Sequence, residues 1–279
     1  PMCKIIRVLG PGDDPLTDHK GILAKFGLSG NFPDKVEQES KLCPDKVSKN
    51  DRKGRMDLRN VFTLTIDPLD ARDFDDALSL RELENGELEI GVHIADVSHY
   101  VRPGTQLDKE AKKRGNSTYL VGEVVPMLPH RLSSGICSLV EAEERLVKSV
   151  LFRFSKEGKP LGSKLAESGI KSDKRLTYEQ AILFMQEPDL EKIRTAKPPP
   201  SRYSGNPGKP LLELSKEQLA ELKEAIGKLW SVASQIRRFR MKSGSLDFAS
   251  SEVKILVDDK GAPEEIIQSE SDESHQLIE

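Results

Sequence analysis

The chain has 279 residues, which is enough for one large domain or two smaller ones. Its composition is polar but compatible with a globular core, and its formal charge of −3 does not by itself indicate a nucleic-acid-binding protein. No apolar run approaches the roughly 20 residues of a membrane helix, and the N-terminus does not resemble a signal peptide, so we expect no membrane association.

The cysteines favour a reducing compartment. Cys3, Cys43 and Cys137 are odd in number, far apart and without a Cys-x-x-Cys pair, which argues against a zinc ribbon or a disulfide framework. We therefore expect a cytoplasmic protein. His93 and His99 have no metal-ligand spacing and are interpreted as core or surface residues.

The first 58 residues predict a strand followed by a polar arm. Residues 3–9 are predicted to form one strand, ended by Gly10-Pro11-Gly12, and residues 13–58 look like a connecting arm with two short helices, at 21–26 and 33–43. Because a lone strand at the start has no partner, we expect this chain to be a fragment of something longer.

The core is predicted to begin with a strand at residues 61–66, which delivers Asp67 at its carboxyl end. Pro68 cannot donate to a ladder and ends the pairing. Two further strands, 74–83 and 88–97, are separated by Asn85-Gly86, a strong hairpin signal. The acidic loop between residues 67 and 76 therefore lies beside a hairpin with one buried face.

The second half of the chain mixes strands and helices without a regular βαβ repeat, which indicates the α+β class. The predicted elements are strand 146–154, helix 177–186, a flexible loop at 195–212, a long helix that opens with a capping box at Ser215–Gln218 and ends at Gly244, strand 252–257, and a helix from residue 271.

Basic residues gather in four segments, at 46–59, 109–114, 171–175 and 237–242. Each segment alone is more typical of a solvated face than of a binding site. Only convergence of these segments around one groove would make them a track for RNA.

Crowded carboxylates are the most informative feature of the chain. Asp67, Asp73, Asp75 and Asp76 follow the pattern D-x5-D-x-D-D. Such carboxylates repel one another unless a hard cation lies between them, and a set of oxygen ligands without histidine or thiolate favours magnesium or manganese over zinc. Two cations roughly 4 Å apart are the usual apparatus for in-line attack on a phosphodiester.

Other interpretations of the acidic loop stay open at this point. The loop could hold a structural metal ion, or it could be solvated without any ion. A calcium-binding EF-hand fails because the sixth loop position, counted from Asp73, is Leu78 where a glycine is needed.

Several motifs in one order resemble the ribonuclease II/ribonuclease R family, which carries the RNB catalytic domain. Beside the aspartate motif, the matching segments are Gly91–Ser98, Tyr119-Leu120-Val121-Gly122, Pro126–Pro129, Leu132-Ser133, Cys137–Leu139, Arg175–Tyr178, Gly244–Phe248 and Ala262–Glu279. The arm, with Phe26–Leu28, Phe32-Pro33 and Arg55–Arg59, is similar to the passage from a cold-shock domain into the catalytic domain, and is closest to ribonuclease R.

The resemblance implies an RNB-type α+β core, with a mixed, largely antiparallel sheet flanked by helices. Residues 1–12 would be the end of an OB-like cold-shock domain, residues 13–58 the connecting arm, and residues 59–279 the N-terminal portion of the catalytic domain.

The resemblance also implies a magnesium-dependent 3′-to-5′ exoribonuclease, with manganese as a possible substitute, that degrades single-stranded RNA processively to nucleoside 5′-monophosphates. Its partner would be single-stranded RNA, and we expect a monomer. Asp67, Asp73, Asp75 and Asp76 would be the metal site, with Asp75 the carboxylate whose loss stops chemistry. The RNA contacts would be Tyr119, which sets the length of the last product, Tyr178, which stacks on the 3′-terminal base, and Glu279.

One departure from the family concerns the base clamp, since residues 254–256, which stand roughly where the family has a second aromatic side chain, offer none. Two alternatives to an enzyme are a non-catalytic RNA-binding relative of the same fold and a metal-stabilised protein-interaction module. The complete aspartate set favours the enzyme, because a degenerate relative would usually have lost one member.

Overall fold

A computed structural model of the chain describes residues 3–121, 123–196, 206, 208–247, 251–258 and 262–279. Gly122 and Phe248 of the family motifs, and residues 197–205 and 207 of the predicted loop, lie outside these ranges.

Strands and helices alternate irregularly along the chain. The strands are β1 (Met56–Asp57), β2 (Thr63–Asp67), β3 (Asp76–Glu82), β4 (Leu88–Ala95), β5 (Thr118–Leu120), β6 (Glu123–Val125), β7 (Glu144–Phe154), β8 (Pro160–Lys171), β9 (Lys174–Thr177), β10 (Ser251–Val257) and β11 (Pro263–Glu270). The helices are α1 (Pro15–Phe26), α2 (Asp34–Leu42), α3 (Val97–Tyr100), α4 (Gln106–Arg114), α5 (Tyr178–Gln186), α6 (Leu190–Thr195), α7 (Lys216–Lys242) and α8 (Glu273–Ile278), with a π-helical turn at Leu132–Ile136 and a 3-10 turn at Leu211–Glu213.

The main sheet is mixed and largely antiparallel. Within the described ranges it has seven strands in the order β1-β8-β7-β4-β3-β2-β9, and two small hairpins, β5-β6 and β10-β11, stand apart from it. The pairs β1-β8 and β2-β9 are parallel and the other neighbours are antiparallel. The predicted α+β class, with helices flanking such a sheet, is confirmed.

Helices cover the sheet because each has one apolar face. A capping box opens α7. In it, the side chain of Ser215 accepts a hydrogen bond from the backbone N–H of Gln218. The buried stripe of α7 (Leu219, Leu222, Ile226, Leu229 and Val232) packs with Leu64, Ile66 and Leu176 of the sheet. A second cluster holds Phe74, Ala77, Val147 and Ile170. The acidic loop thus lies between two cores.

The strand predicted at residues 3–9 is wrong. These residues form no regular element, and Ile5, Ile6 and Val8 are all more than 80% exposed. A strand needs a partner for its backbone groups, and no neighbouring strand is present in the described part of the chain. The arm helices are confirmed as α1 and α2, although α1 begins six residues earlier than predicted.

No helix within the described ranges is long and apolar enough to cross a membrane.

His93 is a core residue of the main sheet, as expected. Its imidazole is fully buried, with Nδ1 2.7 Å from Ser149 Oγ and Nε2 2.9 Å from Ser79 Oγ. A Cβ atom at Gly91 would lie 2.6 Å from Nε2, so the glycine leaves room for the ring. Burial disfavours the charged imidazole and lowers the pKa of His93 to about 4.

We predict that the free energy of unfolding falls by about 3 kcal/mol as the pH decreases from about 6.5 to about 4, because the unfolded chain takes up the His93 proton first. Urea unfolding of the wild type and of His93→Gln at several pH values measures this. The decrease in the free energy of unfolding between these pH values should be about 3 kcal/mol smaller in His93→Gln than in the wild type. An identical dependence of the free energy of unfolding on pH in the two proteins would contradict the prediction.

Candidate active site

Asp67 ends the buried strand β2 and is itself only 9% exposed. Its Oδ2 atom is buried and has no hydrogen-bond partner. Burial raises the pKa of Asp67 to about 7, the negative charge of Asp76 adds to this effect, and the positive charge of Arg175 opposes it. The ionised form of the Asp67 carboxylate is therefore disfavoured by burial, and one of its two oxygens has no direct hydrogen-bond partner.

Phe74 anchors the middle of the acidic loop. Its side chain is fully buried in the second core. Its backbone N–H donates to Ser138 Oγ at 3.0 Å, and its carbonyl accepts from the Leu139 N–H at 2.9 Å. The buried ring and these two hydrogen bonds therefore fix the position of the loop between Asp73 and Asp75.

Asp75 and Asp76 stand at the start of β3. Asp76 is the first residue of the strand, and the Asp75 carbonyl accepts a hydrogen bond from the Ala95 N–H at 2.9 Å. The pKa of Asp75 is raised first by partial burial and then by the charges of Asp73 and Asp76. Burial also raises the pKa of Asp76. The carboxylates thus lie near enough to repel one another.

Arg175 opens the matching segment Arg175–Tyr178, but the sequence did not predict a role for it in the site. It lies on β9, which runs parallel to β2 with Arg175 opposite Thr65. Its guanidinium is fully buried, donates through Nη2 to the Pro68 carbonyl, and lies 5.4 Å from the centroid of the Phe74 ring. A buried positive charge beneath the acidic loop partly offsets the repulsion between the carboxylates.

The basic segment at residues 171–175 is consequently not a solvated face as a whole. Lys174 is also buried, and its Nζ lies 2.8 Å from Glu141 Oε2. Because Lys174 and Arg175 are both buried, their positive charges are not available as a surface track for RNA.

Tyr119 lies at the edge of the acidic loop. Its residue surface is 66% exposed, and its hydroxyl donates to Asp73 Oδ2 at 3.2 Å. Partial burial of the hydroxyl and the Asp73 charge raise the pKa of Tyr119 to about 12. The structure therefore joins the predicted RNA contact Tyr119 directly to one of the predicted metal ligands.

Tyr178 lies beside the other end of the same site. Thr177 is paired with Asp67 in the parallel register of β9 and β2, and its side chain caps α5, of which Tyr178 is the first residue. The ring of Tyr178 is half-buried and stacks on the ring of His275, with centroids 4.0 Å apart and planes 9° apart.

Glu279 shares a cavity of about 390 Å³ with Asp76, between the sheet and the helices α7 and α8. Its Oε2 atom lies 2.7 Å from Arg237 Nη1. The predicted RNA contact Glu279 is therefore placed near the acidic loop, and in this structure it is paired with an arginine.

Within the described residues, no group of three or more histidine, cysteine, aspartate or glutamate side chains is arranged so that it could hold a metal ion. Two features nevertheless fit a bound cation. One is the unpartnered Oδ2 of Asp67. The other is the raised pKa of Asp67 and of Asp75, which is caused first by burial and then by neighbouring carboxylates, and which a bound cation would oppose. A donor set of carboxylates alone suits a hard cation such as magnesium or manganese.

Known proteins match both the sequence and the fold. A model of the RNB domain matches residues 55–279. Ribonuclease R of Thermotoga maritima is 39% identical over 282 aligned residues, which cover 100% of this chain and 36% of the relative. The chain belongs to the RNB domain family, and the family resemblance seen in the sequence motifs is confirmed.

Two solved structures extend the comparison. Mycoplasma genitalium RNase R in complex with ribose-methylated single-stranded RNA matches with a TM-score of 0.80 and 28% identity, over 98% of this chain and 38% of the other. The yeast pseudonuclease Ssd1 matches with a TM-score of 0.61 and 21% identity, over 84% of this chain and 26% of the other, which shows a shared fold. The chain spans about a third of the length of the curated relatives named ribonuclease R that it matches.

Proposed function

We propose that this protein is a 3′-to-5′ exoribonuclease that hydrolyses single-stranded RNA processively to nucleoside 5′-monophosphates. Its metal site would be formed by Asp67, Asp73, Asp75 and Asp76, with magnesium or manganese bound. Family membership and the similarity to ribonuclease R support this activity. The monomeric state and the cytoplasmic location stay predictions from the sequence.

The pairing of Asp67 with Thr177 is the observation that carries the proposal. Neighbouring strands lie about 4.8 Å apart. Thr177 is therefore beside Asp67, the first carboxylate of the site, and Tyr178 is the next residue after Thr177. A terminal base stacked on Tyr178 would therefore leave its own phosphate close to the carboxylates. This spacing favours release of one nucleotide at a time from an end.

In this proposal the tyrosines would bind RNA and the aspartates would bind the metal ions. Tyr178 and Tyr119 would hold bases of the strand by stacking, which is sequence-tolerant. Asp67 and Asp76 would be ligands of the bound cations, and Asp75 would be the carboxylate whose loss stops chemistry. Bound cations would activate the attacking water and stabilise the leaving oxygen.

A labelled-substrate assay tests the proposal. Single-stranded RNA labelled at its 5′ end and incubated with the protein and magnesium should shorten from its 3′ end and release nucleoside 5′-monophosphates. Chelation of the metal should stop the shortening, and added magnesium or manganese should restore it. A circular RNA of the same sequence, which has no 3′ end, is the matched control and should persist.

A second candidate function is RNA binding without hydrolysis, because the fold is shared with a pseudonuclease. It predicts that the labelled RNA is bound and stays intact under all of these conditions. That result would overturn the exonuclease proposal.

A further inference from the structure

His275 covers one face of the Tyr178 ring. The two rings are nearly parallel, with centroids 4.0 Å apart and planes 9° apart, which is a stacked arrangement. Tyr178 belongs to α5 and His275 to α8, so the stack joins two helices that are far apart in the chain. Tyr178 also packs against the main hydrophobic core.

The imidazole of His275 is fixed in place by the start of its own helix. Asp272 caps α8, and its Oδ1 atom accepts the N–H of Ser274 at 2.9 Å and lies 2.9 Å from Nδ1 of His275. Nδ1 either donates to this Oδ1 or, in the other tautomer, accepts the backbone N–H of Asp272 at 3.3 Å as in a capping box, and either contact ties the ring to the start of α8. Ser274 and Leu277 are buried and hold α8 against the main core.

We propose that His275 is a positioning residue, which holds the Tyr178 ring in the orientation that receives the 3′-terminal base. This inference rests on the proposed function, in which Tyr178 stacks on that base. A ring that is already held flat loses less rotational freedom when the base binds, and such preorganisation increases affinity. His275 thus acts on the RNA through Tyr178 without contacting it.

The competing interpretation is that His275 stands where the base itself would lie and is displaced by RNA. The capping box argues against this, because displacement of the imidazole would break its contacts with Asp272 and open the start of α8. The two interpretations predict opposite effects of removing the imidazole. Removal weakens binding in the first and tightens it in the second.

Binding measurements with two RNAs test the inference. The protein carries Asp75→Asn to prevent hydrolysis, and the variants add His275→Ala or His275→Phe. One RNA has an ordinary 3′-terminal nucleotide, and the other lacks the base of that nucleotide. We expect His275→Ala to bind the ordinary RNA about 3- to 10-fold more weakly and the RNA without the base as well as the Asp75→Asn parent does.

His275→Phe keeps a stacking ring and should restore most of the affinity, which separates loss of the stack from general damage to α8. Unchanged or tighter binding by His275→Ala would overturn the inference, as would an equal loss on both RNAs. If the Asp75→Asn parent binds no RNA, or binds both RNAs equally, the proposed contact of Tyr178 with the base fails, and the role of His275 fails with it.

Discussion

Asp75→Asn should reduce the rate of RNA degradation by about 10³-fold or more, because loss of a carboxylate from a two-metal site removes several kcal/mol of transition-state stabilisation. The substitution keeps the size of the side chain and removes a charge that partial burial disfavours, so the fold should be unaffected. RNA binding should be preserved, because a negative charge near a phosphate backbone is removed and none is added.

Single-turnover hydrolysis and fluorescence anisotropy measure the two quantities separately. Asp57→Asn is the matched control, since Asp57 lies on β1 at the edge of the sheet opposite β9, and its rate should equal that of the wild type. A loss of less than tenfold in Asp75→Asn, or loss of RNA binding together with activity, would contradict the role assigned to Asp75.

Phe74→Ala should lower the free energy of unfolding by about 3–5 kcal/mol, the usual cost of deleting a fully buried aromatic ring. The ring fills the second core and faces the guanidinium of Arg175, and the backbone of the same residue fixes the acidic loop to residues 138 and 139. Removal of the ring should therefore loosen the aspartates as well as the core, and hydrolysis should fall with stability.

Urea unfolding provides the measurement. Phe239→Ala is the matched control, because Phe239 is an exposed residue of α7, and the same change there should alter stability by no more than about 0.5 kcal/mol. Equal losses at the two positions would show that Phe74 does not anchor the loop.

The sequence predicted those parts of the fold that depend on local patterns. The strand before Asp67 is β-branched and apolar, the Asn85-Gly86 turn joins β3 to β4 as expected, and the capping box at Ser215 opens α7. Each of these signals resides in a few adjacent residues, so no tertiary contact is needed to recognise it.

Two of the strands that were missed, β8 and β9, have no local pattern that marks them as strands. β8 is mostly exposed and has no clear apolar alternation, and it exists because β7 and β1 pair with it. β9 has only four residues and was interpreted as part of a basic surface. Its conformation comes from parallel pairing with β2, which is a contact across more than 100 positions of the chain.

The same distinction applies to the site. The aspartates and both tyrosines could be assigned roles from motifs. Arg175 belongs to the same motif as Tyr178, but its burial could not be predicted, because charged side chains are normally exposed and nothing in the local pattern marks this one as buried. The stack of His275 on Tyr178 was missed for a similar reason, since it joins helices nearly 100 residues apart. The assignment of Asp67, Asp73, Asp75 and Asp76 to a metal site stays a prediction.

A titration with manganese, followed by electron paramagnetic resonance of the free ion, tests that assignment most directly. The wild type and Asp57→Asn should bind manganese alike, and Asp67→Asn and Asp76→Asn should each weaken the binding by at least about tenfold, which corresponds to about 1.4 kcal/mol. Equal manganese binding by all four proteins would contradict the account.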